Sequence, residues 1–163
     1  MVIIKVLFVC LGNICRSPMA EAIFAHLVRQ KELDNDILTD SAGTASYHID
    51  NQPDHRTIIC LRKNNILVNH HARQFIMNDF DEFDYILPMD RNNLEDILSL
   101  RKHSKDGILL MRHFDPLEKN AEVPDPYYGG SEGFDTIFEI LMRSSENLLE
   151  HLIDTHKLHD RNK

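Results

Sequence analysis

Residues 10–17 read Cys-Leu-Gly-Asn-Ile-Cys-Arg-Ser. Five residues separate Cys10 from Arg16, Ser17 follows at once, and Pro18 opens a helix-like segment. This is a nucleophile, an anion-sized loop and a guanidinium within eight positions. A thiolate can attack phosphorus and hold the phosphoryl group covalently, dividing one difficult displacement into two easier ones. The planar fork of Arg16 can grip two phosphoryl oxygens. Backbone N–H groups at a helix N-terminus bind anions, and the same field favours a thiolate. Gly12 lets the backbone turn its N–H groups toward such an anion, and the Ser17 hydroxyl can donate to the sulfur. The loop lacks the Gly-Lys-Ser/Thr ending of a Walker loop and the G-x-G-x-x-G of a dinucleotide site.

Displacing an alkoxide or phenoxide also needs an acid. Asp125 stands in Pro-Asp-Pro-Tyr-Tyr-Gly-Gly, where two prolines stiffen the backbone and hold the carboxylate in place. Tyr127 and Tyr128 beside it can wall a slot for a flat ring.

These groups require elements to carry them. Residues 2–9 are β-branched and apolar nearly throughout, as in a buried parallel strand. Ser17 is expected to cap a helix whose first residue is Pro18, with Met19, Ile23 and Leu27 on one face. Residues 37–40 read as a second strand ending in a loop at residues 41–44. Residues 53–64 read as a helix with Ile58, Ile59 and Leu61 inward. Residues 85–89 form a third strand, 91–100 a helix and 108–111 a fourth strand. The polar, Pro/Gly-rich stretch 115–133 is too long for a connector and is read as a functional loop. A long helix striped by Phe134, Ile137, Phe138, Leu141, Leu148 and Leu152 ends the chain.

Strands alternating with helices predict a three-layer α/β/α domain, a four-stranded parallel sheet with helices on both faces. Ligands of such sheets bind at the carboxyl ends of the strands, where Cys10, Ser41, Asp90 and the loop after Met111 all fall. The expected boundaries are one domain over residues 1–157 and a frayed tail over 158–163.

Composition narrows the classes. The 163 residues carry a net charge of −8, which argues against a nucleic-acid surface. No apolar run approaches the roughly 18 residues of a membrane span. The first strand contains Lys5 and no small-residue cleavage site, so a cytoplasmic location is expected. Three cysteines make no disulfide framework, and C-x4-C is not a zinc signature; no metal and no cofactor are expected. Cys60 is read as a core residue and the adjacent pair His70-His71 as no metal site. His151, His156 and His159 are read as solvated, and Asp79, Asp81, Glu82 and Asp84 as an acidic surface cluster.

The chain resembles the low-molecular-weight protein tyrosine phosphatases. The match includes C-L-G-N-I-C-R-S-P-M-A-E at 10–21, D-S-A-G-T at 40–44, H-A-R-Q at 71–74, F-D-Y-I-L at 83–87, Met89-Asp90 and D-P-Y-Y at 125–128. The resemblance implies Cys10 as nucleophile, Arg16 as phosphate ligand and Asp125 as acid, then base. It implies a substrate site built from Leu11, Gly12, Asn13, Ile14, Cys15, Ser17, Tyr47, Tyr127 and Tyr128, with Asn13 in a left-handed turn braced by Ser41 and His70. Tyr47 stands where many members carry Trp, and Pro88 where Ala is common. In the family the cysteine at position 15 can form a reversible disulfide with the nucleophile. The implied partners are a phosphotyrosine-containing protein or peptide and inorganic phosphate as product, handled by a monomer or weak homodimer.

Three rival functions share this loop. An arsenate reductase needs further cysteines to carry a disulfide outward, and residues 84–92 hold none. An arginine phosphatase is associated with Thr where this chain has apolar Ile14. A binding module would need the cradle but not Asp125.

Overall fold

A computed structural model describes residues 2–101 and 106–159. The elements run β1 (Ile4–Cys10), α1 (Arg16–Gln30), β2 (Ile37–Gly43), α2 (His55–Lys63), α3 (Asp79–Glu82), β3 (Tyr85–Pro88), α4 (Arg91–Ser99), a 3-10 turn (Met111–Phe114) and α5 (Ser131–His156). The three strands pair in parallel in the order β2-β1-β3. Central β1 is buried on both faces, which is why its sequence is almost uninterruptedly apolar.

Alternation along β1 feeds two cores. Ile4, Val6, Phe8 and Cys10 pack with α1, α2 and α5 on one face. Leu7 and Val9 face Phe75, Phe80, Phe83 and Ile97 on the other, so helices cover both sides. Phe8 meets Phe24 edge-on, with ring centroids 5.6 Å apart. The register pairs Cys10 with Gly43 and Val9 with Pro88, bringing the strands' carboxyl ends level at one edge.

The expected fourth strand does not form among the described residues. Ile108 makes a single parallel bridge to Ile86, through Ile86 N–H to the Gly107 carbonyl (2.9 Å) and Leu109 N–H to the Ile86 carbonyl (3.1 Å). The chain enters by Gly107 at φ +93°, where a Cβ would stand 2.2 Å from the Asp84 carbonyl oxygen. It leaves at once into the 3-10 turn. A four-residue apolar run suits a bridge followed by a buried turn as well as a strand, and periodicity cannot separate them.

Other expectations shift at element ends. The segment 41–43, read as loop, extends β2. Ser17 does not cap α1, which begins at Arg16; its side chain turns inward instead. In α2 Leu61 is buried, but Ile59 faces outward, because Thr57, Cys60 and Leu61 make the buried face. Asp79 is buried rather than superficial, paired with Arg73 through two bonds of 3.0 and 3.1 Å. Cys60 lies in the core. Among the described residues, no helix is long and apolar enough to cross a membrane. Of the tail expected at 158–163, residues 160–163 lie outside the described residues, while Leu158 packs against the larger core.

Candidate active site

The β1–α1 connection is a tight loop with Cys10 at its start and Arg16 opening the helix. Its left-handed residue is not glycine but Asn13, at φ +58°. Asparagine is among the few side chains that accept this conformation, and here its amide is fully used. Asn13 Oδ1 accepts the Arg73 backbone N–H (3.0 Å) and lies 2.7 Å from His70 Nε2. Asn13 Nδ2 donates to Ser17 Oγ (2.8 Å) and Ser41 Oγ (3.0 Å). Because the oxygen already accepts from Arg73, His70 must donate from Nε2, which fixes its tautomer. Gly12 does not supply the turn by a positive φ, as its sequence position suggests. A Cβ there would stand 2.9 Å from the His48 ring, so glycine is needed for close approach.

The relay ends on the Cys10 sulfur. The Cys10 sulfur lies 2.9 Å from Ser17 Oγ and accepts the Asn13 backbone N–H at 3.3 Å. Ser17 Oγ is already an acceptor for Asn13, and of the two acceptors its proton can reach, the sulfur at 2.9 Å is nearer than the Ala42 carbonyl at 3.5 Å. Cys15 is held differently. Burial first, then Asp54 and Cys10, pushes its pKa up to about 12, so it stays a thiol at neutral pH.

Arg16 is buried and pinned. One terminal nitrogen, Nη1, donates to Asp90 (2.6 Å) and to the Val123 carbonyl (3.0 Å). The other, Nη2, lies 3.5 Å from Asp125 Oδ2. Burial opposes its charge, but Cys10, Asp90 and Asp125 outweigh burial and raise its pKa. With both Nη1 hydrogens committed, the Nε–Nη2 edge is the fork open to an anion. Asp90 also caps α4 by accepting the Asn93 N–H (2.8 Å), so β3 and α4 fix the guanidinium.

An open cleft of about 480 Å³ lies over this loop, lined by Cys10, Arg16 and Asp125 at its base and by Tyr47, His48, Tyr127 and Tyr128. Leu11, Gly12, Ile14 and Cys15 complete the lining. Asn13, Ser17, Ser41 and His70 do not line it; they brace the loop from behind. Asp125 Oδ1 accepts the Tyr127 N–H at 3.1 Å, which orients the carboxylate. Tyr128 is 93% exposed and Tyr47 74%, so both are rim residues rather than fixed walls.

The sequence reading assigned no role to four contributors. Asp90 sits at the sheet edge where the pattern put it, yet nothing in the sequence ties it to Arg16. His48, next to Tyr47, lies between the tyrosines, with ring centroids 6.5 Å from Tyr47 and 6.2 Å from Tyr127. Arg56 holds the Tyr127 and Gly129 carbonyls, each at 2.9 Å, and its guanidinium lies over Phe134 at 4.6 Å. Arg73 braces Asn13 from residue 73. Local patterning carries no signal for these long-range contacts. Among the described residues, one group could hold a metal ion, Glu21, Asp40 and His70, and it lies behind the loop, not in the cleft.

Comparison with known proteins agrees with this architecture. Residues 5–158 match the family model described as low molecular weight phosphotyrosine protein phosphatase. A curated relative of that name from Gallus gallus is 46% identical over 149 residues, covering 90% of this chain and 94% of the relative. The crystal structure of a protein tyrosine phosphatase from Entamoeba histolytica superposes with a TM-score of 0.88 at 40% identity, covering 95% of this chain and 99% of that one. A Drosophila arginine phosphatase superposes with a TM-score of 0.84 at 35% identity, covering 91% and 97%. With residues 5–158 matched and the loop, its brace and its carboxylates in place, the chain belongs to the low molecular weight phosphotyrosine protein phosphatase family.

Proposed function

We propose that this protein hydrolyses phosphotyrosine in proteins or peptides, and small aryl phosphates, through a phosphocysteine intermediate. The observation that carries the reading is the convergence of Cys10, Arg16 and Asp125 on one cleft. In the first step the Cys10 thiolate attacks phosphorus in line with the tyrosyl oxygen. The loop N–H groups and the free edge of Arg16 take the equatorial oxygens, where charge is greatest in the transition state. Asp125 protonates the departing phenol oxygen. In the second step Asp125 takes a proton from water, which displaces the sulfur and releases inorganic phosphate. Ser17 donates to the sulfur before attack and again as it leaves.

Leu11, Gly12, Ile14, Cys15, Tyr47, Tyr127 and Tyr128 contact the substrate, whereas Asn13, Ser41 and His70 keep the loop in shape. The protein works without metal or cofactor, as a monomer or weak homodimer in the cytoplasm.

The fold alone does not choose between phosphotyrosine and phosphoarginine, since an arginine phosphatase shares it. Ile14 in the cleft lining and the tyrosines around it favour a flat apolar ring over a charged guanidinium. Turnover of matched phosphotyrosyl and phosphoarginyl peptides tests this, with the Cys10→Ser variant as control. The tyrosyl peptide should be preferred and the variant inactive though folded. Preference for the arginyl peptide, or turnover by Cys10→Ser near the parent level, would overturn the reading.

A further inference from the structure

A second depression begins where the cleft ends. This open groove of about 1050 Å³ shares Leu11 and Tyr47 with the cleft and continues past Phe75, Ile76, Met77 and Leu100, with Asp96 on the wall formed by α4. Ile76, Met77 and Leu100 are 55%, 54% and 49% exposed, and Leu11 40%. Single exposed apolar side chains need no explanation. Several converging on one groove that opens from a substrate cleft do.

The backbone of this surface is also held by hydrogen bonds. The buried carboxylate of Asp79 accepts the Ile76 N–H at 2.8 Å and both terminal nitrogens of Arg73. Phe75 donates its N–H to the Gly43 carbonyl (2.7 Å), and its ring meets Phe80 edge-on at 5.1 Å. Arg73 in turn reaches Asn13 through its backbone. The turn presenting Ile76 and Met77 is therefore fixed relative to the phosphate loop, and a ligand settling on it orders little that is not already ordered.

We propose that this groove takes the aliphatic side chain of a residue flanking the phosphotyrosine of the substrate. The inference rests on the phosphotyrosine reading and names a class of substrate for that site. A polypeptide whose phosphotyrosine fills the cleft must leave over its rim, and Leu11 of the cleft lining and Tyr47 of its rim also line the groove. The apolar wall selects an aliphatic flank. Asp96, on a chain of net charge −8, disfavours an acidic one.

The test uses phosphotyrosyl peptides with Leu or Asp placed in turn at the three positions on either side, with p-nitrophenyl phosphate as the substrate that has no flank. At one or more positions, kcat/KM for the Leu peptide should exceed that for the Asp peptide by roughly 5- to 30-fold, the value of partly burying one aliphatic side chain in an open groove. Ile76→Ser and Met77→Ser should each cut that ratio while changing p-nitrophenyl phosphate turnover by less than about twofold. Equal rates for the Leu and Asp peptides at every position would overturn the groove and leave the phosphatase reading standing. So would variants that slow p-nitrophenyl phosphate and peptide alike. Absence of turnover on every substrate would overturn both. If sedimentation shows a dimer that Ile76→Ser dissolves, with peptide preference unchanged, the groove belongs to a second copy and the proposal fails.

Discussion

Asn13 shows how closely one side chain can be committed. Its left-handed backbone, four side-chain contacts and the position of the Cys10 sulfur form one unit, and each is held by the others. Asp125 carries a different role and a different prediction. Asp125→Asn keeps the size and the contact to the Tyr127 N–H but cannot give a proton to the leaving oxygen. Its kcat on an aryl phosphate should fall by about 10²–10⁴-fold, the usual yield of a positioned acid. A loss below about threefold would assign the acid elsewhere. Glu21 gives a pH signature behind the loop. Burial, helped by Asp40 and opposed by Ser41 and Arg73, pushes its pKa up to about 7, and it faces His70 Nδ1 at 3.4 Å. Burial also lowers the pKa of His70, disfavouring its charged form, and the contact with Asn13 Oδ1 keeps a proton on Nε2. The folded state then binds the Glu21 proton more tightly than the unfolded chain, whose Glu pKa is about 4.3. This contribution is full below about pH 4.3 and is lost as pH rises through 7. Relative to Glu21→Gln, the parent should lose about 2–3 kcal/mol between pH 5 and 8 in denaturant unfolding. Parallel stability curves would contradict this assignment.

At the scale of elements, the loop carrying Asp125 is anchored at its start by a buried carboxylate. Asp115 lies between Arg112 (2.8 Å) and Arg143 (2.9 and 3.0 Å) and accepts the Leu117 and Glu118 N–H groups. Burial alone would raise its pKa, but the bonds from Arg143, Leu117, Arg112 and Glu118 hold it well below the usual carboxylate range. Its stabilisation is therefore present above about pH 4 and is lost as pH falls further. Arg112 continues to the Glu122 carbonyl (2.8 Å), and the next residue, Val123, bonds both Met89 and Arg16. Asp115→Ala would take the buried carboxylate from both Arg112 and Arg143, leaving buried Arg112 the exposed Glu118 as its ion-pair partner, and should cost about 3–5 kcal/mol in chemical denaturation at pH 7. A loss under about 1 kcal/mol would mean the anchor lies elsewhere. The polar stretch 115–133 was legible as a functional loop, but its anchor was not. Arg143 lies 28 residues from Asp115, and no period links them. The run 108–111 misled for the converse reason: it is apolar because it is buried, and burial does not specify a ladder. Ser17 misled because a serine before proline reads as a cap, whereas here the hydroxyl is turned to Cys10.

The whole molecule is organised by β1, whose alternate side chains enter two separate cores and whose last residue is the nucleophile. Phe8, fully buried against Phe24, joins the sheet to α1. Phe8→Ala should lower stability by about 3–5 kcal/mol by denaturant unfolding, and a cost below about 1 kcal/mol would show that the core refills the space. This architecture was readable in outline because β1 is continuous and the loop chemistry is local. On the proposed mechanism, a chain of net charge −8 would bind its anion through the buried Arg16 and the loop N–H groups, so catalysis would rest on the loop and not on a general field. The most direct test is to mix the Asp125→Asn variant with an aryl phosphate, quench within one turnover and map the phosphoryl group by mass spectrometry. One phosphoryl group is expected on the sulfur of Cys10, absent in Cys10→Ser. Phosphate on another residue, or turnover that leaves Cys10 unmodified at every time point, would contradict it.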